Sequence, residues 1–407
     1  MDESLKRKNV VLIVLVASLG YFVDIYDLIL FSVVRVASLK DLGVPDSEML
    51  NVGARIINSQ MLGMLLGGLL WGILGDKKGR LSVLFGSIIT YSLANIANGF
   101  VHSVEAYVLI WFVAGLGLAG ELGAGITLVT ETMSKKYRGY GTMIVAAVGL
   151  MGAVTAALIS ERFTWQTSYF IGGAMGLVLL LMRVGIVESG IYKATQKQEV
   201  QKGNFFMLFN NWGRFKKYLA CILIGLPTWY VVGVLITFSP EFGKALNATE
   251  LLNAGEGVMY CYIGISIGDI LAGFLAQMLK SRKKVMFIFL MITLLAMFLY
   301  LNAFGITGKH FIALCLLLGF ASGYWATFVT IAAEQFGTNL RATVTTTVPN
   351  FIRGSLVAII ASFQFLKGQM GILNGALVVG LACVAIALLA LSQLKESFGT
   401  DLDYIEQ

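Results

Sequence analysis

Residues 72–80 read GILGDKKGR and residues 273–284 read GFLAQMLKSRKK. Each ends a long apolar run with a basic turn, and the leading glycines, Gly72 and Gly273, stand 201 residues apart. A second set of landmarks agrees: Glu131, Arg138 and Thr142 recur as Glu334, Arg341 and Thr345, each 203 residues further on. Two anchors nearly in register make an internal repeat, and a repeat must be recognised before any motif inside it is interpreted. The chain is therefore read as two halves of like construction, each containing several apolar segments.

Composition says what those segments are. Of 407 residues, 57% are apolar and only 13% are Asp, Glu, Lys or Arg, about half the ~25% charged content of a soluble domain. Runs such as 9–21 and 377–391 carry no charge at all. A membrane helix needs ~20 mostly apolar residues. Twelve spans fit, near 10–38, 55–75, 81–101, 106–133, 139–160, 165–187, 218–239, 255–279, 285–305, 310–333, 342–366 and 371–394. The expected fold is an all-α membrane protein of twelve transmembrane helices in two pseudo-symmetric six-helix halves. The expected divisions are 1–188, a cytoplasmic linker 189–215 containing Lys193, Lys197, Glu199 and Lys202, a second half 216–395 and a tail 396–407.

With the amino terminus cytoplasmic, 21 of the 30 Lys and Arg fall in cytoplasmic segments. Arg35, Lys40, Arg55, Arg162, Lys244, Lys309 and Lys367 fall at or near the outer side, and Arg183 and Arg353 lie within spans. The positive-inside rule selects this orientation, and an even span count returns the carboxyl terminus to the cytoplasm. Lys6, Arg7 and Lys8 before an apolar run imitate a signal peptide, but more spans follow, so the first is expected to be retained. The +7 net charge reports this topology rather than nucleic acid, which would require basic residues interleaved with aromatics on one face. Cys221, Cys261, Cys315 and Cys383 sit inside apolar runs and read as buried thiols, and His102 and His310 have no cysteine partner nearby. Neither a metal site nor a cofactor is expected. One sequon, Asn247-Ala248-Thr249, lies in an expected outer loop, while the short loops suggest a bacterial inner membrane. A monomer in the bilayer is expected.

The loop 72–80, the segment GLGLAGELGAGITLVTETMSKKYRG and the later VESGIYK together resemble the major facilitator superfamily, most closely its metabolite:proton symporters and sugar porters. The resemblance spans essentially the whole chain. It implies a secondary transporter working by alternating access, with its site at the interface of the halves near the bilayer midplane. It also implies a cytoplasmic gate of Asp76, Arg80, Glu131 and Arg138. In the second half Gln277 replaces the acidic residue, so Glu334 and Arg341 alone carry over and the two gating layers are expected to be unequal. Read physically, Lys77 and Lys78 serve topology, while Gly72 and Gly75 permit close helix approach. The run Gly115, Gly117, Gly120 matches GxGxxG, but it lies inside an apolar span instead of between strand and helix, so it reads as helix packing. The same holds for Gly63, Gly67, Gly68 and Gly72.

Ionisable residues deep in a membrane are functional candidates by default. Asp24, Asp27, Glu121, Asp269 and Arg353 fall near mid-depth of their spans. Asp24 and Asp27, one helical turn apart, are read as sharing a face. Both are proton-coupling candidates, and Asp27 best matches the position that the resemblance links to coupling. The alternative is a structural pair bonded to Tyr21, Tyr26 or backbone. Arg353 needs a carboxylate, carbonyls or an anionic substrate; Asp269 is the expected internal partner, with substrate capture the other reading. Asn350, Tyr324, Trp325, Trp229, Tyr230 and Glu121 complete the substrate-binding candidates, cavity-lining by resemblance or else packing. Trp111 stands where many proton-coupled members carry an arginine, which leaves the first-helix carboxyls or an uncoupled mode. The expected function is proton symport of a small polar organic metabolite, an organic acid slightly preferred. The alternatives are a uniporter of a sugar or amino acid, or a transport-inactive receptor or scaffold. Enzymatic chemistry is not expected, since no nucleophile with a matching base appears.

Overall fold

The computed structural model describes residues 3–78, 80–120, 138–188 and 205–399. Among these no strand occurs, and the helices group into twelve rods. In the first half they are α1 (Glu3–Asp41), α2 (Met49–Lys78), α3 (Arg80–Asn98), α4 (Val104–Leu118), α5 (Arg138–Arg162) and α6 (Trp165–Glu188). In the second they are α7a (Trp212–Leu223) with α7b (Leu226–Tyr230), α8 (Ala254–Leu279), α9 (Arg282–Leu301), α10a (Gly308–Ser322) with α10b (Trp325–Glu334), α11 (Thr338–Met370) and α12 (Ile372–Gln393). Nine stretches among the described residues are long and apolar enough to cross a membrane. The four cysteines are buried and unpaired.

Two rods depart from the expected continuous spans. The seventh rod breaks at Gly225, because Pro227 opens α7b, and then continues as a π-helix, Val231–Ile236, before the short helix Ser239–Ala245. Proline cannot continue a helix from its preceding turn, but it suits a first turn. The tenth rod breaks at Gly323 and Tyr324. Inside the expected linker, α7a already begins at Trp212, because the Asn211 side chain accepts from Gly213 N and Arg214 N at 2.8 and 3.2 Å, which supplies partners for free amide groups at the helix start.

Within the first half, α1 packs on α5 and α6, and α4 on α2 and α3; within the second, α8 packs on α10a, and α12 on α9 and α11. Glycines set the closest approaches. A Cβ on Gly63 or Gly67 would strike α4 backbone at Phe112 or Leu116, and one on Gly115 would strike Gln60. The second half repeats this: Gly264 and Gly268 meet Leu316 and Phe320, and Gly319 meets Cys261. These pairs repeat at spacings of about two hundred residues, so the glycine run on α4 is helix packing. The halves meet along two seams, α2 with α11 and α5 with α8, with α1 also touching α8.

Candidate functional site

A charged centre lies where α1 faces the second half. Asp24 is fully buried, and its Oδ2 stands 3.6 Å from Nη2 of Arg353, itself 1% exposed. Asp24 has further interactions of its own, whereas Nε and Nη1 of Arg353 have no hydrogen-bond partner. The guanidinium lies 5.9 Å above the Trp229 ring, a cation–π distance. Trp229 meets Trp325 edge to face at 6.3 Å, and Trp325 leans on Phe328 at 5.1 Å. Tyr21 and Tyr262 complete the surroundings, each within electrostatic range of Asp24 and Arg353.

The expected Asp269–Arg353 pair is therefore corrected: the partner of Arg353 is Asp24, from the other half. Asp269 on α8 is occupied elsewhere, its Oδ1 accepting from the Ala326 amide at 2.9 Å. That contact caps α10b at the break in the tenth rod, where the amide groups of the first turn have no helical partner. Asp269 thereby fixes the helix start that carries Trp325.

Asp24 and Asp27 stay within electrostatic range of one another, but their side chains end in different surroundings. Three residues advance an α-helix by about 300°, which leaves a splay of about 60° on one broad face. Asp27 points into the first half, against Gly172 of α6 and opposite Asn95 of α3. It is fully buried, and neither carboxyl oxygen meets hydrogen-bond geometry. One turn further along α1, Phe31 joins Trp111, Tyr107 and Tyr169 in an aromatic cluster with centroids 5.4 to 6.1 Å apart. Trp111 thus fills with apolar surface the place where a cation was a possibility.

The other candidates divide. Tyr230 donates to the Ala376 carbonyl at 2.7 Å, and Tyr324 packs on Phe289; both are drawn into the second half. Asn350 donates across the halves to the Ala119 carbonyl at 2.9 Å and to Thr346 O at 3.2 Å, against Gly68 of α2. It ties α11 to the end of α4, beside α2. Glu121 and Glu131 lie outside the described residues, as do the side chains of Asp76, Arg80 and Arg138.

At the end of the bundle carrying the α8–α9 connection, Glu334 is held by Arg282 through two bonds of 2.5 and 2.6 Å and accepts from Ser397 at 2.8 Å. Arg341, named with Glu334 for this gate, donates to the carbonyls of Ala333 and Phe336 on either side of Glu334 and has further interactions of its own. Arg282 was missed in the sequence because the 201-residue offset sets Ser281, not Arg282, opposite Arg80. Glu396 accepts from the Ser281 hydroxyl and from the amides of Arg282, Lys283 and Phe398. Partial burial raises its pKa, but these donors outweigh it and hold the carboxyl below the ordinary glutamate value.

Paired helical halves with a buried, cross-half charge pair between them describe a transporter, in which a site at the interface is exposed by relative motion of the halves. The chain belongs to the Major Facilitator Superfamily, whose family model matches residues 17–362. It is 25% identical over 389 residues to the putative niacin/nicotinamide transporter of Bacillus subtilis (strain 168), covering 91% of this chain and 94% of the relative. It is 26% identical over 336 residues to the 3-(3-hydroxy-phenyl)propionate transporter of Escherichia coli (strain K12), covering 80% and 76%. The fold resembles that of the proton:xylose symporter XylE, with a TM-score of 0.71, 16% identity and 98% of both chains covered. The protein is a multi-pass membrane transporter and not an enzyme.

Proposed function

We propose that this protein is a proton-coupled symporter of a small organic acid, with Arg353 as the receptor of the substrate carboxylate. The observation that carries the reading is the incomplete pairing of Arg353. A buried guanidinium has five donors suited to a planar carboxylate, and here two of its three nitrogens lack a bonded acceptor while Asp24 makes one contact at 3.6 Å. An incoming carboxylate takes these donors in two parallel bonds, which is the stronger arrangement. Asp24 then loses its counter-charge and takes up a proton, so substrate and proton enter together. Trp229 and Trp325, set edge to face, offer an apolar corner beside the cation, with ring faces on which a planar ring can stack. Support for an acid comes from the relatives, which include transporters of niacin and of a hydroxyphenylpropionate. Asp27 serves as a second proton carrier, set in the first half and within electrostatic range of Asp24.

The basic α8–α9 end faces the cytoplasm in this reading, and the α1–α2 end faces outward, in a bacterial inner membrane. The decisive test is uptake of radiolabelled nicotinate and benzoate into proteoliposomes with an imposed proton gradient. Uptake driven by an acidic exterior, and affinity that strengthens as pH falls while the ligand remains ionised, are the expected results. Binding indifferent to pH and to Asp24→Asn would reject proton linkage through this pair.

A further inference from the structure

Eleven residues beyond Asp24, about three turns along the same stripe of α1, Arg35 makes a second contact with the opposite half. Arg35 is fully buried. Its Nη1 and Nη2 donate to the two oxygens of Glu241 at 2.6 and 2.7 Å. The same nitrogens also reach the carbonyls of Met49 at 3.2 Å and Thr237 at 3.1 Å, so each terminal nitrogen makes two bonds. The guanidinium rests 4.9 Å over the Phe238 ring, and the hydroxyls of Ser32 and Thr237 meet at 3.1 Å. On the far side, Gly53 of α2 leaves room for the arginine stem, which a Cβ would strike at 2.7 Å. Every partner from the second half belongs to one stretch, Thr237, Phe238 and Glu241, which directly follows the π-helix Val231–Ile236. Glu241 also lines a crevice of about 900 Å³ between α1, the α5–α6 connection and the α7–α8 connection.

We propose that Arg35 and Glu241 form the outer latch of transport, closed in this structure and broken each time the centre opens toward the crevice. The geometry selects this pair because it is a bidentate bond between halves, with Glu241 at the border of the crevice and Arg35 sealed beneath it. A π-helix is rare and is frequently found at functional sites. Here it precedes the three residues that contact α1, so a change of register in it carries them away from Arg35 together. The latch rests on the reading that the halves move about a central site, but it does not depend on the substrate proposed above.

The test uses the full chain in lipid nanodiscs. Spin labels on cysteines placed at Glu48 and Leu251, exposed positions on the two connections, report the opening distance, and the four native cysteines are replaced. Glu241→Gln, which keeps the shape and removes the charge, is expected to add a longer-distance population that the parent lacks. A maleimide directed at Ser32→Cys is expected to react at least about tenfold faster in the same background. Glu241→Asp, with its carboxylate drawn back by one methylene, is expected to fall between. Unchanged distances and labelling in folded Glu241→Gln would overturn the latch; should that variant not fold, Glu241→Asp decides by the same readouts. If distances change while no organic acid is transported, the latch stands and the substrate reading falls.

Discussion

Two ion pairs join the halves through a single stripe of α1, and they are built to opposite standards. Arg35 near the α1–α2 end has bidentate bonds to Glu241, two carbonyls and an aromatic ring. Arg353 at the centre has one carboxylate oxygen at 3.6 Å and two nitrogens without acceptors. A buried ion pair compensates for lost hydration only when its geometry is good and its remaining donors are bonded. The first pair comes close to that condition, with both terminal nitrogens doubly bonded and Nε alone without an acceptor, and joins the halves. The second does not, and the missing bonds are those that a ligand supplies. Equal chemistry at two heights of one helix thus yields a latch and a receptor.

The comparison can be broken most directly at the centre. Arg353→Ala is expected to weaken nicotinate or benzoate binding by about a hundredfold, since two bonds to a charged group are worth about 3 kcal/mol or more together; calorimetry on purified protein checks this. Arg353→Lys, which keeps the charge without the fork, should lose about tenfold. If both variants bind as the parent does, the receptor reading is wrong. At the latch, Arg35→Ala leaves Glu241 uncompensated and is expected to cost the closed conformation about 3–5 kcal/mol, seen as a lower thermal midpoint with ligand affinity retained. A latch variant that loses affinity while staying folded would erase the distinction between the two pairs.

Asp24→Asn sharpens the comparison in the opposite direction. It removes the competitor for Arg353, so anion affinity should rise by about three- to tenfold, equivalent to about 0.7–1.4 kcal/mol, and lose its pH dependence. The equivalent change at the latch, Glu241→Gln, has no ligand to admit and should only open the gate.

The smallest effect is expected at Glu396, outside the membrane. Its pKa is lowered in the folded protein, so its contribution is present above the ordinary glutamate value of about 4.3 and is lost as pH falls through the lower folded value. Glu396→Gln should therefore remove an acid-side loss of protection at the Arg282 and Lys283 amides, read by hydrogen exchange. It should leave both cross-half pairs untouched.

Much of the scaffold was legible in the chain. Charge-free runs of about twenty residues have few alternatives to membrane helices, and Gly72 with Gly273 announced the repeat because each closes a span on a basic turn. The packing role of Gly115 followed from its apolar setting. Less of the site could be read. Arg353 and Asp24 stood out, since charge at mid-depth needs a reason, yet Asp269 seemed the nearer partner because both belong to the second half. Its actual role, holding the Ala326 amide, depends on a helix break at Gly323 that hydropathy does not register. Arg35 read as a topological charge because its partner lies 206 residues away, in a segment with no motif.

Sequence alone determined what depends on local composition: the apolar helices, the repeat and the small-residue faces. Tertiary structure decided the partners. Pairing depends on which faces of distant helices meet, and a splay of about 60° between Asp24 and Asp27 was enough to send one to the opposite half and the other into its own. The breaks at Gly225 and Gly323 belong to the same category, because the backbone groups released there are satisfied by neighbours such as Asp269, which only the packed bundle supplies.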